Sequence, residues 1–144
     1  MRRASEMGWV RGMVQIGIRG VGSAFVSDVH DAEAWGSKIV SAREVQRSGV
    51  GPAFEAIPRD ARIFVSLDLD ALDPAFMPGV VARSPGGLNY WHIVDVFEAL
   101  AARGSIVGCN IVELAPQHDP TGVSALTAAR IACIALSKIA RSTR

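Results

Sequence analysis

The densest chemistry in this sequence is the run Ser66-Leu67-Asp68-Leu69-Asp70-Ala71-Leu72-Asp73-Pro74, with three carboxylates in six residues. Aspartate is depleted in strands, and a carboxylate buried without a partner is costly. Two in alternation at the end of the apolar stretch Ile63-Phe64-Val65 therefore call for a compensating cation. Alternate residues of a strand share a face, so Asp68 and Asp70 are expected on one side, roughly 7 Å apart. That span suits two metal ions about 3.5–4 Å apart, as in hydrolytic two-metal centres. Asp73, followed by Pro74, reads instead as a turn residue whose carboxylate bonds nearby backbone N–H groups. A fourth acid, Glu113, ends a second apolar stretch that begins at Ser105.

Such residues need strands that end side by side. The pattern predicts a short helix or lead-in over 1–12, a strand over 14–18 closed by Arg19-Gly20 and a Gly/Ser loop, and a helix over 31–37 capped by Asp28 or Asp31. A strand over 38–40 follows, then a helix from about 42 to Ser48-Gly49 and a helical turn over 50–57. The central strand, 62–69, is apolar on both faces, as a parallel strand covered by helices should be. The loop 71–88 carries three prolines and three glycines and is expected on the surface. Asn89 caps a helix over 90–103, a strand runs over 105–114, a loop over 116–122, and an Ala-rich helix over 123–140. Strands alternating with helices imply an α/β fold, a mainly parallel sheet in a three-layer α/β/α arrangement, whose ligands sit outside the carboxyl ends of the strands. Asp68, Asp70 and Glu113 fall there.

Composition narrows the function classes. At 144 residues, 49% apolar, the chain is expected to form one domain over 1–144. Fifteen basic against fourteen acidic residues leave a net charge of +1, too balanced for a nucleic-acid footprint; the basic ends (Arg2, Arg3, Arg11; Lys138, Arg141, Arg144) read as solvated. Cys109 and Cys133 lack metal spacing and read as reduced, buried, small hydrophobes of a cytoplasmic protein. Met1-Arg2-Arg3 leads into Glu6 and Gly8 rather than an apolar run, so no signal peptide is expected. Residues 123–140 approach membrane-spanning length, but Arg130, Ser124, Thr127 and Ser137 interrupt them, and the expectation is a buried helix with no membrane partner. His30 and His118 are assigned to loops and His92 to the first turn of a helix. Trp9, Trp35 and Trp91 are read as packing residues.

The run Ser66 to Gly79, then Pro85-Gly86-Gly87-Leu88, then Val107-Gly-Cys-Asn110-Ile-Val-Glu113-Leu-Ala-Pro116, resembles the C-terminal half of the ureohydrolases: agmatinase, arginase and their relatives. Gln15-Ile-Gly-Ile-Arg-Gly20 and Ser124-Ala-Leu-Thr127 are similar to agmatinase-type members too. The resemblance implies an arginase-like fold whose N-terminal strands are missing here. It implies that Asp68 and Asp70 ligate a binuclear manganese (Mn²⁺) centre, that Asp73 is structural, and that Glu113 accepts hydrogen bonds from a substrate guanidinium. The implied reaction is attack of a metal-bridging hydroxide on a guanidino compound, agmatine or a guanidino acid, releasing urea and an amine. The implied assembly is a homo-oligomer, trimer or hexamer.

Three departures qualify what is implied. The family's remaining metal ligands, a His and an Asp-x-His-x-Asp motif, and an active-site His in Asn-x-His-Gly, are not in this sequence, so no catalytic residue is assigned. The expectations are therefore a partial site, an unpaired sheet edge, and, as the alternative, a non-catalytic remnant. Val80-Val81-Ala82-Arg83-Ser84 replaces the family's T-G-T-P; Arg83 is either solvated or favours a substrate bearing a carboxylate. Asn110 stands where the family has Asp. His118 is near enough to Glu113 to touch substrate, with a surface position as the alternative.

Overall fold

A computed structural model describes residues 1–21 and 24–142, without the side chain of Ser142. Gly22-Ser23 of the expected loop and Arg144 of the basic end lie outside the described residues. The elements in order are α1 (Arg2–Ser5), β1 (Met13–Ile18), α2 (Val26–Ala34), β2 (Ser37–Ser41), α3 (Ala42–Ser48), α4 (Gly51–Phe54), β3 (Ala61–Asp68), α5 (Tyr90–Arg103), β4 (Gly104–Val112) and α6 (Val123–Ser142). Single 3-10 turns follow β3 (Leu69–Ala71) and β4 (Pro116–His118).

Local chemistry accounts for most boundaries. Ser41 starts α3 by accepting a hydrogen bond from the Glu44 N–H while Glu44 accepts from the Ser41 N–H, and Gly49, at φ +70°, ends it. Asn89 does the same for α5 with His92, at 2.9 Å. The expected helix at 31–37 instead begins at Val26 and ends at Ala34, because Asp28 acts inside the first turn, accepting from the Phe25 N–H at 2.9 Å. His30 therefore lies on a helix, not in a loop.

The fold is α/β with parallel strands, as expected, but its strands form two pairs: β1 with β2, and β3 with β4. Helices α5 and α6 pack on β4, and α3 packs on β1 and β2. The core holds Leu69, Leu72, Met77, Leu88, Ile93, Phe97, Ile106 and Ile131, all fully buried. Each such side chain contributes roughly 1.5–3 kcal/mol.

Five expectations are corrected. Strand β3 is not covered on both faces: Arg62, Phe64, Ser66 and Asp68 form an exposed row, with Phe64 59% accessible. The loop 71–88 is not simply surface, since Leu72, Met77, Val80 and Leu88 fill the core and Leu72 bridges Leu88 in parallel. Trp9 is exposed rather than packed, Trp91 is exposed with its ring edge-on to that of Tyr90, and Cys133 is exposed rather than buried. Helix α6 is buried along one stripe only, Ser124, Ala128, Ile131, Ala135 and Lys138, with Leu136 65% accessible. It is long and apolar enough to cross a membrane by length and composition; its stripe recurs at helical spacing and faces β4 and α5, as for a helix lying on a core.

Candidate functional site

Strand β3 ends at Asp68, one residue before its expected end, and the reason is Asp68 itself. Its carboxylate accepts a hydrogen bond from the Asp70 N–H at 3.2 Å, turning the chain into the 3-10 turn Leu69–Ala71. Asp70 therefore sits on that turn rather than on the strand, and the simple alternation argument for it fails. The two acids nonetheless meet. Burial pushes the Asp70 carboxyl above its ordinary pKa, and the neighbouring Asp68, by charge and hydrogen bond, raises it further. Glu113 adds to the rise and Arg19 opposes it.

Glu113 follows Val112, the register partner of Asp68, so the acids occupy adjacent carboxyl ends of β3 and β4. Its backbone takes φ +66°, a left-handed conformation uncommon for a residue with a Cβ. Asp68 and Glu113 are exposed and Asp70 is half-buried. Two surface concavities of about 350 and 520 Å³ lie elsewhere, around Phe54, Arg59 and Arg103 and around Asp60, Gly104 and Lys138, near the opposite ends of these strands.

Asp73 does what its position before Pro74 predicts. One carboxylate oxygen accepts from Ala75 N–H at 3.0 Å, the other from Gly86 and Gly87 N–H at 2.7 and 3.1 Å. The Ala75 N–H, then those of Gly86 and Gly87, hold its pKa below the usual range. A Cβ on Gly87 would lie 2.4 Å from the Asp73 nitrogen, so only glycine allows the Pro85-Gly86-Gly87 loop to close on this turn.

A second buttress was missed from sequence. Asp119, 5% accessible, accepts from Thr121 N–H and hydroxyl on one oxygen and from Ser124 N–H on the other at 2.7 Å. The Ser124 hydroxyl accepts from Gly79 N–H at 2.7 Å, and the Gly79 carbonyl accepts from Ala115 N–H at 2.8 Å. The N-terminus of α6, the loop after Asp73 and the segment after Glu113 are thereby joined. Asp119 and Thr121, polar caps just ahead of an apolar periodic run, are the signal that could have revealed it.

Arg83 is exposed yet engaged: Nε donates to the Pro78 carbonyl at 2.8 Å and Nη2 to the His118 carbonyl at 2.9 Å. His118 is itself exposed, with Nδ1 3.2 Å from the Val80 carbonyl. Both residues strap the two loops together. Asn110 is exposed on β4 opposite Ser66.

The carboxylate oxygens at the rim fit a hard cation in kind. In number they fall short: among the described residues, no three His, Cys, Asp or Glu side chains form a group that could hold a metal ion.

The chain is 37% identical over 106 residues to an N(1)-aminopropylagmatine ureohydrolase of Thermus thermophilus, covering 72% of this chain and 34% of that protein. Its fold superposes on the proclavaminate amidino hydrolase of Streptomyces clavuligerus with a TM-score of 0.79 at 30% identity, covering 90% of this chain and 44% of that one. On the arginase of Medicago truncatula the TM-score is 0.80 at 32% identity, with 96% and 43% covered. The chain thus spans less than half the length of the relatives it matches. The sequence profile of the arginase family matches residues 1–137, and on that match the chain belongs to the arginase family.

Proposed function

We propose that this chain supplies the carboxylate half of a site that hydrolyses the amidino C–N bond of a guanidino compound. One observation carries the reading: Asp68, Asp70 and Glu113 come to the adjacent ends of β3 and β4, where the Asp70 carboxyl is raised by burial first and then by the charges of Asp68 and Glu113. A dication and a guanidinium are the partners that such a rim lacks. Asp68 and Asp70 would hold Mn²⁺, which when bound supplies Lewis acidity and lowers the pKa of water. Glu113 would orient the planar guanidinium through paired hydrogen bonds. The relatives named for arginine, aminopropylagmatine and proclavaminate support the guanidino class and leave its tail open. Arg83 is occupied as a strap, so its placement gives no support to a preference for guanidino acids over agmatine.

The short donor set favours a second reading for the chain acting alone: a folded piece that catalyses nothing until another polypeptide contributes ligands. Urea release with Mn²⁺ from agmatine, arginine, guanidinobutyrate and guanidinopropionate separates the two. It should be measured with this chain alone and with a relative's segment carrying Asp-x-His-x-Asp added. Release only on addition is the expected result. Urea release unchanged by Asp68→Ala in that mixture would remove Asp68 from the site. A cytoplasmic setting and assembly as a homo-oligomer belong to the same proposal.

A further inference from the structure

Arg19 leaves the end of β1 and reaches the acidic turn on a strand pair to which β1 is not hydrogen-bonded. Its Nη2 lies 2.6 Å from the Asp70 carbonyl, 3.2 Å from that of Leu72 and 2.7 Å from that of Ser84. These carbonyls belong to the turn that carries Asp70, to the residue before Asp73, and to the loop ahead of Gly86. Gly17, at φ +90°, lies where the β1–β2 register shifts between Ile16 and Ile18, and a Cβ there would come within 3.1 Å of Leu88 and 3.5 Å of Ala71, so glycine suits the close approach of β1 to this loop. The placement has a cost, since Nε is buried and finds no acceptor among the described residues.

We infer that Arg19 is a positioning residue of the acidic rim, a guanidinium clamp that fixes the Asp70 backbone against the Ser84–Leu88 loop and so sets the geometry in which Asp68 and Asp70 meet a cation. The inference rests on the metal reading above for its consequence and on the three carbonyl contacts for its mechanism. Charge and geometry predict opposite signs. A nearby cation repels Mn²⁺, so if Arg19 acted by charge alone, Arg19→Gln would tighten binding. A clamp predicts the reverse: Arg19→Gln loses the three contacts of Nη2 and weakens binding about 10-fold, the effect expected when a residue orienting a ligand is removed. Arg19→Lys keeps the charge, but its side chain is one bond shorter than the path to Nη2, so its ammonium falls short of the three carbonyls and binding weakens too.

The test uses the ¹⁵N-labelled 144-residue chain, its Arg19→Gln and Arg19→Lys variants, and MnCl₂ as the probe. Paramagnetic broadening of amide resonances around Asp68, Asp70 and Glu113 reports the ion, and metal-free hydrogen exchange at Asp73 and Leu88 reports the clamp. Those two amides pair the segments that Arg19 joins, Asp73 N–H to the Leu88 carbonyl and Leu88 N–H to that of Ala71. Weaker broadening in both variants, with faster exchange at Asp73 and Leu88 and unchanged exchange in α5 and α6, is the expected result. Tighter or equal Mn²⁺ binding in Arg19→Gln, or unchanged exchange at the two amides, overturns the assignment. If the wild-type chain shows no localised broadening, the cation half of the assignment is overturned for this chain, and the exchange comparison still decides whether Arg19 holds the turn.

Discussion

At the adjacent ends of β3 and β4, Asp68, Asp70 and Glu113 carry few hydrogen-bond donors, whereas on the loops behind, Asp73 and Asp119 are saturated with N–H and hydroxyl groups. The physical sign differs accordingly. Asp70 is pushed above its ordinary pKa, by burial first and by Asp68 next, so its ionised form strains the fold. Asp119, through the Thr121 hydroxyl and then the Ser124 N–H, and Asp73, through the Ala75 N–H first, are held below theirs, so their ionised forms stabilise it. Carboxylates of one kind hold the loops in place; those of the other are left in want of a cation. Equal acidity in the sequence thus conceals two roles that only the count of donors separates.

The contrast is broken most directly at the buttress. Asp119→Ala removes the acceptor for three groups at the start of α6 and frees the Ser124–Gly79 link, so it should lower the metal-free Tm more than any change at the rim. Thermal unfolding followed by circular dichroism measures this. A Tm within a degree of wild type would show that Asp119 is dispensable and that loop packing alone holds the site. Gly87→Ala comes next. Its Cβ would meet the Asp73 backbone, and overpacking of this kind costs about 1–3 kcal/mol, read as a lower denaturant midpoint at unchanged slope.

Asp70→Asn tests the other side with the opposite sign. An acid whose folded pKa is raised stabilises the fold only below its unfolded value, and that contribution is lost as pH rises through the folded value. Removing the charge should therefore raise the metal-free stability at neutral pH, read as a higher Tm, by no more than about 1 kcal/mol for a half-exposed group. It should also flatten the fall in stability above the ordinary Asp range. Asp73 and Asp119 work the other way, their stabilisation lost as pH falls from the ordinary range toward their depressed values. If wild type and Asp70→Asn show the same pH profile of Tm, the acids of the rim are not coupled.

How much of this was readable in the residues follows from which forces are local. Asn89 ahead of Tyr90, the alternation of helical and extended periods, and Asp73 before Pro74 report contacts within a few residues, and the elements they predict are present. The end of β3 was misplaced because Leu69 continues the apolar pattern, while the side chain of Asp68 captures the Asp70 N–H and redirects the backbone. The burial of Met77 and Val80 in a Pro/Gly-rich loop, and the reach of Arg19 from β1 to Asp70, depend on segments far apart in the chain. Phe64 looked like core because it is apolar in an apolar run. Its exposure is decided by what packs on the other face of β3, which no local pattern encodes.

The smallest expected effect bears on why Glu113 stands where it does. At φ +66° a residue with a Cβ is strained by about 1–2 kcal/mol, and glycine would remove that strain while adding unfolded-state freedom worth about 0.4–1 kcal/mol. Glu113→Gly should therefore gain a net of about 0.5 kcal/mol, whereas Glu113→Ala and Glu113→Gln, which keep the Cβ, should match wild type in chemical denaturation. If alanine stabilises as much as glycine, relief of charge repulsion from Asp70 is the cause and the backbone is not strained. If only glycine stabilises, the fold carries at Glu113 a side chain that its own stability disfavours, and it does so at the end of the strand beside Asp68 and Asp70. A carboxylate kept against backbone preference at the rim, while those of the buttress are kept because they stabilise, is what a site selected for binding a cation requires.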